Sequence, residues 1–135
     1  MGNISSINKV NYAYVQKCIH SNSELIILIN TLNYDKQDCL IKNSIVASSE
    51  EDIINKYLKT NKSIKIVIYG ENCSDNKVIY KYNQLYKLGF VNIYVYLGGI
   101  FEWLLLQDIY GDEEFPTTSK ILDILKYGKL VTKVI

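Results

Sequence analysis

The sequence predicts one α/β domain, with a central parallel sheet and helices on both faces. Three observations lead there. Short, almost wholly apolar runs recur, such as LIILI at residues 25–29 and IVIY at residues 66–69. Runs of this length without polar alternation suit strands buried on both faces. Stretches with helical apolar spacing separate these runs, and that alternation argues for βαβ units with right-handed crossovers. Finally, 135 residues, 48% of them hydrophobic, fit a single domain, and a chain of this size buries roughly two-thirds of its unfolded surface.

The elements read in order as follows. Residues 1–8 form a flexible N-terminal tail, and residues 9–135 form the domain. A helix is expected over residues 10–21, where Val10, Tyr14, Val15, Cys18 and Ile19 fall on one side. Strands follow over residues 25–30 and 44–47. Ser48 and Glu51 have the spacing of a capping box, opening a helix over residues 50–58. The next strand is Lys65–Tyr69. A helix over residues 76–88 places Val78, Ile79, Tyr82, Leu85 and Tyr86 together and stops at Gly89. A strand over residues 93–97 leads into a helix over residues 99–109. Pro116 begins the approach to a final helix over residues 119–127, and residues 130–135 suit a short edge strand.

Composition narrows the function. All 15 cationic side chains are Lys and the formal net charge is +1. Without a basic run or an RNA-binding aromatic signature, no nucleic-acid partner is expected. Without Arg there is no planar fork to clamp a phosphate or sulfate in bidentate fashion. Cys18, Cys39 and Cys73 are odd in number and widely spaced, and His20 belongs to no ligand pattern, so no metal site and no cofactor are expected. The lack of a secretory signal or a long apolar span suggests a reducing, intracellular setting.

The N-terminus carries a motif of its own. MGNISS matches M-G-x-x-x-[ST], with Gly2 after the initiator and Ser6 in place. This is the pattern of N-myristoylation. One such chain gives weak, reversible membrane association.

Residues 66–103 read IVIYGENCSDNKVIYKYNQLYKLGFVNIYVYLGGIFEW. This strand, loop, helix, strand and Gly98-Gly99…Trp103 sequence resembles the active-site half of a rhodanese, or sulfurtransferase, domain. The first half is more worn. The strand ends in Asn30-Thr31 where the family has D-x-R, and CLIKNSI at residues 39–45 matches G-H-I-P-G-S-I only at Ile41, Ser44 and Ile45. The run FEWLLLQDIYGDEEFPTT is similar to rhodanese-like proteins of large DNA viruses and some protists. The resemblance implies the rhodanese fold over the domain, and a catalytic Cys at the end of the strand opening a C-x-x-G-x-R loop. Gly70 stands at the position of that Cys.

The loop is Gly70, Glu71, Asn72, Cys73, Ser74 and Asp75. In an active member, curled backbone N–H groups and a helix dipole stabilise a thiolate and its persulfide. Here the first position has no side chain, and Glu71 and Asp75 add negative charge where an anion would sit. Asp75 suits the N-cap of the following helix, its carboxylate taking the place of a substrate anion. Cys73 is the alternative nucleophile, but its acidic neighbours disfavour a thiolate. A related phosphatase of the C-x5-R type is excluded, because it needs a Cys at the loop entrance and an Arg at its end and this chain has neither.

Other residues invite bland readings. The acidic run at residues 112–114, with Glu102 and Asp108, suits a solvated face and no calcium loop. Tyr69, Tyr80, Tyr82, Tyr86, Tyr94 and Tyr96 suit half-buried positions with hydroxyls in water. Trp103 suits the core, and His20 a helix C-terminus. The helix over residues 99–109 is apolar over a wide arc, so Leu106, with Tyr110 and Phe115, is expected to form a patch for a protein partner. Two readings remain: a non-catalytic binding or scaffolding module, tethered through Gly2, or a sulfurtransferase or thiol enzyme using Cys73.

Overall fold

The computed structural model describes residues 7–21 and 26–128. Five strands, β1 (Lys9–Val10), β2 (Ile26–Asn30), β3 (Ser44–Ile45), β4 (Lys65–Tyr69) and β5 (Ile93–Tyr96), form one parallel sheet in the order β1-β5-β4-β2-β3. Four helices connect or follow them: α1 (Tyr12–His20), α2 (Ala47–Thr60), α3 (Lys77–Leu88) and α4 (Gly99–Tyr110).

Side-chain alternation along the strands sorts the core into two layers. Ile66 and Ile68 of β4 face α2 and α3, where Ile54, Val78, Tyr82 and Leu85 are buried. Val67 and Tyr69 face α1 and α4, packing in one cluster with Val15, Ile100, Trp103 and Leu104. The chain leaves β2 toward β3 on one side and β4 toward β5 on the other. Strand order therefore reverses between β2 and β4, and their carboxyl ends open the crevice where such sheets carry their sites.

The start of the chain differs from the reading above. Ile7 is buried, and Asn8 accepts from the Val95 N–H at 2.8 Å through its carbonyl. Residues 7 and 8, read as the end of a tail, thus pack on the sheet, and Lys9–Val10 extends it beside β5. The first helix begins only at Tyr12, because the Asn11 side chain caps it by accepting from the Tyr14 N–H at 3.1 Å.

Strand β3 is two residues long, and α2 begins at Ala47 without the Ser48–Glu51 box. A long-range acceptor replaces that box: the Ala47 N–H donates to Gln37 Oε1 at 2.9 Å. Residues 119–127 do not form an α-helix. The chain just before them is extended and paired, with the Thr118 N–H donating to Leu40 at 2.8 Å, the Lys42 N–H donating to Pro116 at 3.1 Å and a bridge between Ile41 and Thr117. Only a 3-10 turn, Ile124–Tyr127, follows. The strand expected at residues 130–135 and the Gly2 motif lie outside the described residues.

The apolar patch also falls differently. Phe115 is buried, meeting Trp103 edge-on at 5.0 Å between ring centres. Leu106 is half-buried, whereas Leu105, Ile109 and Tyr110 face outward. Phe115 leaves the patch because Gln107 holds its carbonyl at 2.8 Å and folds residues 111–117 back over α4.

Candidate functional site

The loop over residues 70–76 leaves β4 at the reversal of strand order and enters α3. Its amides turn inward. The Glu71 N–H donates to Asp75 Oδ2 at 3.0 Å, the Ser74 N–H to Asn72 Oδ1 at 2.9 Å and the Asp75 N–H to the Asn72 carbonyl at 3.2 Å. Asp75 Oδ1 accepts from the Lys77 N–H at 3.0 Å, capping α3, and Thr31 at the end of β2 donates its hydroxyl to Asp75 Oδ2 at 3.0 Å. One carboxylate therefore joins both strand ends and the helix.

Helix α4 is tied to the same loop. Its Ile100 and Phe101 N–H groups donate to the carbonyls of Gly70 and Glu71, each at 2.9 Å. A helix N-terminus is a ready anion site because its first amides lack partners. Here the first amides of α3 and α4 already bond the chain's own oxygens.

Space is as restricted as the hydrogen bonding. A Cβ built at Gly70 would lie 2.4 Å from Asp75 Oδ2 and 2.8 Å from Val78 Cγ2. The Asp75 carboxylate thus fills the position toward which a side chain at residue 70 would project. The expected helix cap is present, and it also reaches back into the loop.

The outer side of the loop is covered too. Lys36 forms an ion pair with Glu71, and the Asn72 amide donates to the Tyr127 carbonyl at 2.7 Å. Tyr127 is fully buried, and its hydroxyl has no hydrogen-bond partner among the described residues. Burial, then the fields of Cys39, Asp38 and Glu71, push that hydroxyl up to about 12. Cys73 is exposed on the loop, whereas Cys39 is buried beneath the segment over residues 116–119, its thiol raised mainly by burial. Among the described residues no group of three or more His, Cys, Asp or Glu could hold a metal.

Two tyrosines expected to reach water do not. The Tyr69 hydroxyl, just before the loop, accepts from the Ile41 N–H at 3.1 Å and shares a 2.7 Å hydrogen bond with Ser44. The Tyr96 hydroxyl donates to Glu102. Burial raises both well above the ordinary tyrosine range, and the Glu102 carboxylate raises Tyr96 further. Tyr69→Phe is expected to cost about 1–3 kcal/mol, since it strands the buried Ile41 amide. Tyr127→Phe, which removes an unpaired hydroxyl, is expected to stay within about 0.5 kcal/mol of the parent or to stabilise. Urea denaturation of the two variants checks the contrast, and equal losses would contradict it.

Sequence comparison finds no match among curated proteins. The fold has solved counterparts. The Alr3790 protein from Anabaena sp. superposes with a TM-score of 0.59 at 18% identity, covering 87% of this chain and 97% of that one. Ygr203w from Saccharomyces cerevisiae, described as a homolog of single-domain rhodanese and the Cdc25 phosphatase catalytic domain, gives 0.56 at 14% identity over 90% and 93% of the two chains. BH2092 from Bacillus halodurans gives 0.55 at 21% identity over 74% and 73%. At these identities the likeness shows the fold alone. The model of the rhodanese-like domain matches residues 14–106, more than half of the chain. The chain belongs to the rhodanese-like domain family.

Proposed function

We propose that this rhodanese-like domain transfers no sulfur and works as a binding or scaffolding module. The observation that carries this reading is the Asp75 carboxylate, which lies 2.4 Å from where a residue-70 Cβ would stand. The loop has lost its entrance nucleophile, and its own acid occupies the space behind it. The phosphatase-family description of the yeast relative does not carry over, because that chemistry needs the entrance Cys and an Arg, and this chain has Gly70 and no Arg.

Cys73 supports the second reading, a thiol enzyme, through its exposure alone. A reactive thiolate needs an electropositive setting, whereas the flanking loop carries Glu71 and Asp75. The deciding experiment offers thiosulfate and mercaptopyruvate to the full chain, with mass spectrometry for a persulfide on Cys73. No turnover and no persulfide are expected. Transfer that disappears in Cys73→Ser would favour the second reading.

Gly70→Cys alone is expected to remain inactive. Its side chain must displace Asp75 and break the bonds to Thr31, Glu71 and Lys77. Robust turnover by this single variant would show that the loop is still a working cradle.

The module's setting completes the proposal. Among the described residues no helix is long and apolar enough to cross a membrane. An intracellular protein partner, with weak membrane association through a myristoyl group on Gly2, suits a scaffold better than a free enzyme. Co-expression with N-myristoyltransferase and intact mass measurement test the lipid step. An unmodified Gly2 under those conditions ends it.

A further inference from the structure

We propose that residues 121–128 form a displaceable strap over the outer side of the loop, hinged next to Ser119 and latched by Asn72 and Tyr127. This goes beyond the non-catalytic reading and holds whether or not the loop transfers sulfur. The difference in anchoring along the C-terminal segment points to it. Up to Ser119 the segment is pinned: Thr117 bridges Ile41, the Thr118 N–H donates to Leu40, and the Ser119 hydroxyl donates to the Asp38 carbonyl at 2.7 Å.

Beyond that base the pattern changes. The hydrogen bonds recorded for residues 121–128 are internal to the turn, such as Gly128 N–H to Leu125 at 2.9 Å, except for the bond from Asn72 to Tyr127. Leu122 and Leu125 are 101% and 77% exposed, whereas Tyr127 is 0% exposed. The turn thus inserts one aromatic ring and leaves two leucines in water. Ile121 and Ile124 add partial packing, and Lys36 lies 5.6 Å from the Tyr127 ring centre while pairing with Glu71.

The unpaired hydroxyl makes the latch weaker than its burial suggests. A buried hydroxyl without a partner loses its bonds to water on closing and regains them on opening. The inserted ring lies in the same buried cluster as Cys39 and Tyr69, the Tyr127 hydroxyl feels the Glu71 carboxylate, and the Tyr127 carbonyl holds the Asn72 amide. Opening therefore bares the Asn72 side of the loop and uncovers the Cys39 thiol on its Tyr127 side, while the Ser119 carbonyl of the pinned base stays 3.4 Å from the sulfur. Segments with few external hydrogen bonds open locally at lower cost than the whole domain.

Cys39 serves as the reporter. In the full chain with Cys18→Ser and Cys73→Ser, it is the sole thiol, and its rate of reaction with an aromatic disulfide reagent can be followed in urea below the unfolding transition. The expected rate is nearly independent of urea and rises about tenfold in Asn72→Ala, the factor for losing the one bond that ties Asn72 to the strap; the other bond lost, from the Ser74 N–H, lies within the loop. A rate that rises steeply with urea and is unchanged by Asn72→Ala overturns the strap, because Cys39 then reacts only through global unfolding. Hydrogen exchange on the unaltered chain gives a second measurement. Amides of residues 124–128 should exchange faster than those of β4 by a urea-insensitive route. Equal, urea-sensitive protection of both segments also overturns the proposal.

Discussion

Gly99→Ala is expected to destabilise the protein by about 3–5 kcal/mol, although it adds a single methyl group. Two costs combine. Gly99 has φ +69°, in the left-handed region, where a side chain costs about 1–2 kcal/mol. The added Cβ would also stand 2.5 Å from the Gly70 carbonyl oxygen and 2.9 Å from the Asn72 nitrogen. These are backbone atoms of the candidate loop, so no rotamer change relieves the contact. Relief requires moving the loop away from α4, which breaks the bonds from Ile100 and Phe101 to Gly70 and Glu71. The substitution therefore reports on coupling between the helix and the site. Denaturation by urea measures the loss, and hydrogen exchange at Ile100 and Phe101 locates it. A loss below about 1 kcal/mol, or unchanged protection at those amides, would show that the loop is not held by this close approach.

How far the sequence reveals this arrangement depends on the range of the forces involved. Strand β4 and the stop of α3 at Gly89 are legible because a bounded apolar run and a left-handed Gly are local signals; Gly89 has φ +109°. Strand β1 is not legible. Its two residues become a strand only by pairing with Val95 and Tyr96. The true start of α2 is hidden for the same reason, since its acceptor comes from Gln37, ten residues earlier. At the site, the cap by Asp75 follows from its position before a helix. Its bond to Thr31 spans 44 residues and has no local trace. Tyr69 and Tyr127 are obscured differently. In a chain with 12 tyrosines, composition gives no way to separate the buried ones from exposed Tyr34 and Tyr80. The burial of Phe115 likewise follows from the return of residues 111–117 across α4, not from the helix periodicity.

Trp103→Ala is expected to cost about 3–5 kcal/mol, the usual range for emptying a large aromatic site in a core. Trp103 is fully buried and meets Tyr96 at 6.1 Å and Phe115 at 5.0 Å, both edge-on. Its indole N–H donates to the Pro116 carbonyl at 3.0 Å. That carbonyl also accepts from the Lys42 N–H at 3.1 Å, so the substitution leaves it a partner. The loss is therefore a packing loss, and Trp103→Phe should recover more than half of it despite lacking the N–H. The consequence reaches the site because Trp103 fastens residues 115–116 to α4, and that segment leads to the base of the strap. In Trp103→Ala the Cys39 thiol should react faster, even at urea concentrations where the sheet is intact by far-UV circular dichroism. Trp103 is the chain's single Trp, so dichroism, not fluorescence, must follow unfolding of the variant. A loss below about 1.5 kcal/mol, or a Trp103→Phe variant no better than Ala, would mean that the indole N–H and not the packed ring holds the segment.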